Sequence, residues 1–479
     1  MNHLSSETFD ENAKAALADV QLRGALRHAT SLFGKRRLEA ASSLSNWEEL
    51  RTQARAMKDE VLSHLDRYLE MFVDNAEQRG AVVHWARDAA EANSIIVGLA
   101  RDRGARTIVK SKSMTTEETH LNDALEAADM QVVETDLGEY IIQLAHETPS
   151  HIIAPAIHKT KGQIAELFTS TLGMPPTDDI AQLTSTARAT LRDRFAAADV
   201  GVSGVNFGIA ETGTIVIVEN EGNIRLTTSL PRLHIAVMGI EKVIPRFADL
   251  DVFLKLLPRS GTGQRLTTYQ SFITGTKRNP DDEGPDELHI VILDNGRSPM
   301  LAHPVTRQSL ACIRCGACLN ACPVYQQIGG HAYGSVYPGP IGAVITPQLV
   351  GLKKTAQLPY ASSLCGACRE VCPVKIDIPQ LLLQLRSEIT EASVNKRRSE
   401  QFAFKLWARV MTSNWLYRMS GKVGRLFQSF VVHNGKIGKL EKAGILAPPL
   451  AAWTSGRDLR PVEKNTFRER WHSELKRHD

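Results

Sequence analysis

Long apolar runs are missing from these 479 residues. No stretch approaches the about 18 consecutive apolar positions that a spanning helix needs, and the polar start Asn2-His3-Leu4-Ser5-Ser6-Glu7 has no apolar signal core. Both absences predict a cytoplasmic protein, or one lying on the inner face of a membrane. The patterns G-x-G-x-x-G, Walker A, G-x-S-x-G and H-E-x-x-H are absent, so flavin or nucleotide chemistry is not announced. No cysteine lies outside positions 312–372. An odd set of seven in so short a span is no disulfide framework; it marks a metal region.

What is present is ordinary globular material. With 43% hydrophobic and 23% charged residues the chain falls outside the disordered, collagen-like and mucin-like classes, and its length suits about three domains. The net charge of +4 conceals an asymmetry: residues 391–479 hold 18 Lys and Arg against 8 Asp and Glu. The rest of the chain is therefore slightly acidic. A basic tail on an acidic body predicts a docking surface for an anionic partner or lipid headgroups; the competing reading is a solvated basic helix.

Along the chain, residues 1–78 read as a helical region, with apolar positions at 3–4 spacing (Leu62, Leu65, Leu69, Phe72). Ser45-Asn46-Trp47-Glu48 has the form of a capping box. Residues 79–300 alternate short apolar strands with helices, the pattern of an α/β domain around a largely parallel sheet. Strands are expected at Ala81–Trp85, Thr107–Lys110, Gln131–Glu134, His151–Ala154, Thr214–Glu219, His234–Met238 and Leu288–Leu293, with helices at Ala89–Arg101 and Thr116–Ala128. Asn220-Glu221-Gly222-Asn223 reads as a hairpin turn and Gly275–Asp286 as an exposed loop. Residues 301–390 hold the cysteines. Residues 391–479 begin helically at Phe402–Met411, become irregular around Pro448-Pro449, and contain Trp407, Trp415, Trp453 and Trp471.

The chemistry is concentrated in two motifs. Cys312-Ile-Arg-Cys315-Gly-Ala-Cys318-Leu-Asn-Ala-Cys322-Pro323 is C-x2-C-x2-C-x3-C-P, the bacterial ferredoxin run, whose fourth cysteine serves the other of two clusters. Cys365-Gly-Ala-Cys368-Arg-Glu-Val-Cys372-Pro373 repeats it with the first cysteine replaced by Ser362. Crossed ligation then assigns Cys312, Cys315, Cys318 and Cys372 to one [4Fe-4S] cluster, and Cys322, Cys365 and Cys368 to a second. The incomplete second set admits a Ser362 alkoxide, a water or substrate on an exposed iron, or a [3Fe-4S] form. Zinc is the competing reading, but closed tetrahedral sites take four ligands, not seven in this repeated register.

Elsewhere the signals are weaker. Asn206, Glu211, Thr212 and Gly213 precede a hydrophobic strand where α/β pockets open, although turn chemistry explains them too. Lys110, Lys112 and Ser113 stand at the carboxyl end of an expected strand. His158, Lys159 and Lys161 open an expected helix. Surface decoration competes in both cases. His331, between the cysteine motifs, is a structural histidine or a neighbour of a cluster.

Taken together, Cys312–Pro323, the loop His331-Ala-Tyr333-Gly-Ser-Val-Tyr337-Pro-Gly339-Pro340-Ile-Gly342, Leu364–Pro373, Ala210–Thr214 and Asn220–Asn223 give a chain that resembles the lactate utilization protein B family over nearly its whole length. The resemblance implies a NagB/RpiA/CoA-transferase-like α/β domain beside an α-helical ferredoxin-like domain with two clusters, with helical N- and C-terminal extensions. It further implies a bacterial iron–sulfur electron-transfer subunit, itself non-catalytic, that works with two companion proteins to oxidise L-lactate to pyruvate and binds no nucleic acid. The family pattern has the same seven cysteines. Other readings are an electron carrier for another 2-hydroxy acid or for glycerol phosphate, an enzyme working through Glu211, and a redox-sensing interaction protein.

Overall fold

The computed structural model describes residues 5–279, 281–392, 394, 398–428, 432–433, 436–437, 460–463, 465–471 and 473. The chain divides into two compact units, Met1–Val394 and Asn395–Asp479.

The first unit is built around ten strands: β1 (Ala81–Ala86), β2 (Thr107–Lys110), β3 (Gln131–Glu134), β4 (Val200–Gly204), β5 (Phe207–Ile209), β6 (Thr214–Glu219), β7 (Leu233–Gly239), β8 (Val243–Ile244), β9 (Tyr269–Ile273) and β10 (Glu287–Leu293). Six of them form a sheet in the order β1-β10-β7-β4-β2-β3, with every neighbouring pair parallel. Its central strands read as near-continuous apolar runs because both faces are covered. Ile235, Val237 and Val291 pack with Ala92, Ile96 and Ala100 of the helix Ala89–Asp102. The alternate residues Ala236, Met238, Ile290 and Ile292 pack with Leu69, Phe72 and Ala76 of the helix Leu65–Gln78. This two-residue alternation is the strand period expressed on a double-sided sheet.

A second sheet, β8-β5-β6-β9, supplies the antiparallel pairs β5–β6 and β6–β9. The expected hairpin at Asn220–Asn223 does not form. The Glu219 carboxylate instead accepts the N–H groups of Ile224 and Arg225, and Asn223–Ser229 turns into a helix behind Gly222 at φ 81°. The expected strand at His151–Ala154 is also absent: the ring Nδ1 of His151 accepts the Ile153 and Ala154 N–H groups, leaving them no partner strand. The helix expected over Thr116–Ala128 is broken at His120, which sits in the left-handed region at φ 54°. At the supposed capping box, the helix Trp47–Ser63 has no side-chain cap; Glu48 pairs with Arg51 and Lys375 instead.

The N-terminal helices are no separate appendage. Phe9, Leu26, Trp47, Leu50 and Ala54 share one apolar core with the buried cysteines and with Phe207, Phe253 and Leu256 of the α/β part. In the second unit, the helices Arg398–Thr412 and Asn414–Gln428 are amphipathic and leave Phe402, Trp407, Trp415 and Phe427 exposed. The expected helix Phe402–Met411 falls inside the first of them. Trp453 and Pro448-Pro449 lie outside the described residues. Among the described residues no helix is long and apolar enough to cross a membrane.

Candidate iron–sulfur centre

The two cysteine motifs fold alike. In the first, Arg314 takes a positive φ of 59° and Gly316 one of 73°, and the short helix Ala317–Ala321 follows. In the second, Leu364 (φ 55°) and Gly366 (φ 85°) precede the helix Ala367–Glu370. The left-handed pair bends both loops in the same way. Glycine is needed at the second of these positions for a further reason in the first motif, where a side chain on Gly316 would press on His151 and Ile153.

Cys312, Cys315, Cys318 and Cys372 line a single recess, walled by Ile152, Ile341, Ile376 and Ile378. Three of these thiols come from the first motif and one from the second. Backbone N–H groups point at the sulfurs: Arg314 donates to Cys312 Sγ at 3.4 Å, Ile376 to Cys372 Sγ at 3.4 Å, and Tyr325 to Cys322 Sγ at 3.5 Å. Cys322, Cys365 and Cys368 form the other neighbourhood. Burial raises the Cys322 thiol, and Cys365 raises it further; burial pushes Cys368 up to about 12, with Cys322 and Cys365 adding to the shift. The two groups adjoin, since Cys318 feels both Cys372 and Cys368. Cys365 alone is exposed, and its thiol is lowered by the Ala367 N–H and the Ser363 hydroxyl.

The donor set fits iron–sulfur clusters. Burial pushes Cys372 up to about 11, so holding it as thiolate takes a cation in the recess, while the N–H groups offset charge on the sulfurs. Among the described residues no group of three or more His, Cys, Asp or Glu side chains is arranged to hold a single metal ion. The hydroxyl oxygen of Ser362 accepts the Leu364 N–H at 3.1 Å.

Residues 69–293 match the LUD domain, residues 308–376 the 4Fe-4S dicluster domain, and residues 384–476 the C-terminal domain of lactate utilisation protein B. Lactate utilization protein B of Geobacillus sp. strain WCH70 is 44% identical over 476 residues, covering 98% of each chain. That of Bacillus subtilis strain 168 is 44% identical over 468 residues, covering 97% of this chain and 96% of its own. The chain belongs to the lactate utilization protein B family. Among solved structures, a DUF162 family protein from Deinococcus radiodurans aligns with 48% of this chain and 98% of its own at 14% identity, with a TM-score of 0.27.

Several of the weaker candidates of this family member take structural roles. Lys110 is fully buried and paired with Glu134 at 2.7 Å and Glu117 at 3.0 Å, far from the solvated loop expected of it. Asn206 Oδ1 accepts the Val218 N–H, and Glu211 accepts the Phe247 N–H. His158 and Lys159 both hold Glu147, and Lys161 holds Asp178. His331 bonds to the Thr148 carbonyl at 2.7 Å and its ring stacks edgewise on His158.

Sequence reasoning missed three arginines near the first group of cysteines. Arg51 donates to the Cys372 and Glu370 carbonyls, Arg37 donates to the Val371 carbonyl, and Arg314 lies over the Tyr337 ring at 4.6 Å. The signal for Arg51 was its place on an apolar helix face, next to Leu50 and one turn from Ala54 and Trp47.

Proposed function

We propose that this protein is the iron–sulfur electron-transfer subunit of a multi-component system that oxidises L-lactate to pyruvate. The observation that carries the reading is the shared recess: a thiol of the second motif, Cys372, stands among the three leading thiols of the first. That is the crossed arrangement of a two-cluster ferredoxin. Kinship with lactate utilization protein B supports lactate as the substrate.

In this reading Cys312, Cys315, Cys318 and Cys372 hold one [4Fe-4S] cluster. Cys322, Cys365 and Cys368 hold the second, with a non-cysteine fourth ligand or as [3Fe-4S]. Such clusters supply one-electron carriers, and two side by side accept the pair released by a 2-hydroxy acid. The chain's own residues do the rest. The isoleucines around the first recess exclude water, the N–H groups of Arg314, Ile376 and Tyr325 stabilise charge on sulfur, and exposed Cys365 brings the second centre to the surface where a partner can reach it.

The working division is 1–78, 79–300, 301–390 and 391–479, with the α/β part of NagB/RpiA/CoA-transferase type. The basic tail is assigned to docking a companion subunit or lipid headgroups, and the place of work to the cytoplasm or the inner membrane face.

Deleting the coding sequence tests the substrate. The strain is expected to lose growth on L-lactate and keep it on pyruvate; normal growth on lactate, or failure on glycerol phosphate instead, overturns the assignment. Copurification from lactate-grown cells is expected to bring down companion subunits.

A further inference from the structure

The order of the parallel sheet singles out one crevice. From β2 the chain moves outward to β3, whereas from β4 it moves the other way to β7 and β10. The gap between the carboxyl ends of β2 and β4 is therefore the topological switch point, where open α/β sheets bind ligands. A pocket of about 250 Å³ opens there, lined by Lys112 and Ser113 after β2, Gly204 at the end of β4 and Asn206 just beyond it, and Lys242 after β7. Its far wall is Arg314 and Cys315 of the first cysteine motif. The volume lies below the usual range for drug-sized ligands and suits a small metabolite.

The polar groups in this pocket are unequally employed. Each carboxylate is committed to backbone donors: Asp136 to Gly138 and Glu139, Glu219 to Ile224 and Arg225, Glu221 to Leu137. The cations are not. Lys242 is only 8% exposed, yet among the described residues neither it nor Lys112 makes a hydrogen bond or ion pair. Arg314 is held 3.7 Å from Glu241 through Nη2, while its Nη1 is buried without a hydrogen-bond partner. A buried ammonium and a buried guanidinium N–H without hydrogen-bond acceptors are costly, and an anion between them would remove that cost. The opposite end has Lys112 beside Glu221 and Asp136. Burial, reinforced by Asp136, pushes Glu221 up to about 7, so near neutrality it offers both a proton donor and an acceptor.

We propose that this pocket binds a small monocarboxylate with an oxygen on the adjacent carbon, a 2-hydroxy or 2-oxo acid, its carboxylate on Lys242 and Arg314 and its second oxygen towards Glu221. The choice of acid class rests on the lactate reading above, whereas the anion site rests on the unpartnered Lys242 ammonium and Arg314 Nη1 alone. A ligand so placed touches the loop that carries Cys315, which puts the small molecule against the wall of the first cluster.

The test is calorimetric titration of the full-length, anaerobically purified, iron-loaded protein with L-lactate, pyruvate, L-lactate methyl ester and inorganic phosphate. Lactate or pyruvate is expected to bind at one site per chain, and the uncharged ester not to bind. Lys242→Met is expected to weaken binding at least about tenfold at unchanged iron content, Lys112→Met to weaken it as well, and Lys242→Arg to restore it. Bound lactate is also expected to shift the electron paramagnetic resonance signal of the reduced first cluster. Full iron with no binding of either acid, equal binding by Lys242→Met, or phosphate binding as tightly as lactate would each overturn the proposal. A preparation without iron would instead sink the electron-transfer reading and leave the binding result readable.

Discussion

Arg297 is the most exacting place to perturb the join between the α/β part and the cysteine-bearing part. Its guanidinium is buried at 1% exposure and donates to Glu118 at 2.8 and 2.9 Å and to Glu241 at 2.7 Å. Glu118 in turn accepts the Tyr337 hydroxyl at 2.7 Å, and Tyr337 lies under Arg314 of the first motif. Burial alone would raise both carboxyls. Arg297, with hydrogen bonds from Asn295 and Tyr337, more than reverses this for Glu118, and Arg297, Lys242 and Arg314 together bring Glu241 from 4.5 to about 2. For Glu241 that depression corresponds to about 3 kcal/mol, present above pH 4.5 and lost as pH falls towards 2. Arg297→Met leaves buried Glu118 without its ion pair and Glu241 with only Lys242 and Arg314 to offset its charge, and breaking a buried pair in this way costs about 3–5 kcal/mol. Urea unfolding of the iron-loaded protein, followed by tryptophan fluorescence and cluster absorbance, is expected to show that loss at pH 7. The gap should narrow as pH falls through the carboxylate range, because protonated Glu118 and Glu241 no longer need the guanidinium. Adding Glu118→Gln to the variant should recover part of the loss. An Arg297→Met protein as stable as the parent at pH 7 would refute the reasoning.

Other outcomes follow from single groups. His234, pushed by burial to about 3, and His151, pushed there by burial and by Lys112, stay neutral in the fold. Their contribution is present above pH 6.5 and declines as pH falls towards 3, by about 1.4 kcal/mol each at pH 5.5. His234→Gln should flatten the urea midpoint against pH, and an unchanged slope would contradict this. Gly342→Ala sets a methyl against the Tyr337 carbonyl and should cost about 1–3 kcal/mol in the same assay; no change would mean that the loop relaxes freely. Under the proposed ligand sets, Cys322→Ala should chiefly remove the resonance signal of the second cluster and Cys312→Ala that of the first; the reverse pattern would overturn the crossed assignment.

The cysteine register was readable because it depends on covalent spacing: two loops with the same C-x2-C-x3-C-P order adopt the same backbone. Strands β2 and β3 were readable to the residue, since short β-branched runs between turns have little else to become. What stayed hidden was decided by distant partners. Val200–Gly204 carries two glycines and reads poorly as a strand, but Gly201 is required where the Thr227 carbonyl packs against it. Ile224–Thr227 looks like a strand and becomes a helix because Glu219 caps it. The arginines beside the cysteines and the unpaired Lys242 gain their meaning only from chain segments far away in sequence.

The most direct measurement of the central claim is metal and acid-labile sulfide analysis of anaerobically purified protein. The account predicts about eight iron and eight sulfide per chain, or nearer seven iron with a three-iron second centre, in a brown preparation that bleaches in air. Stoichiometric zinc with no acid-labile sulfide would contradict it.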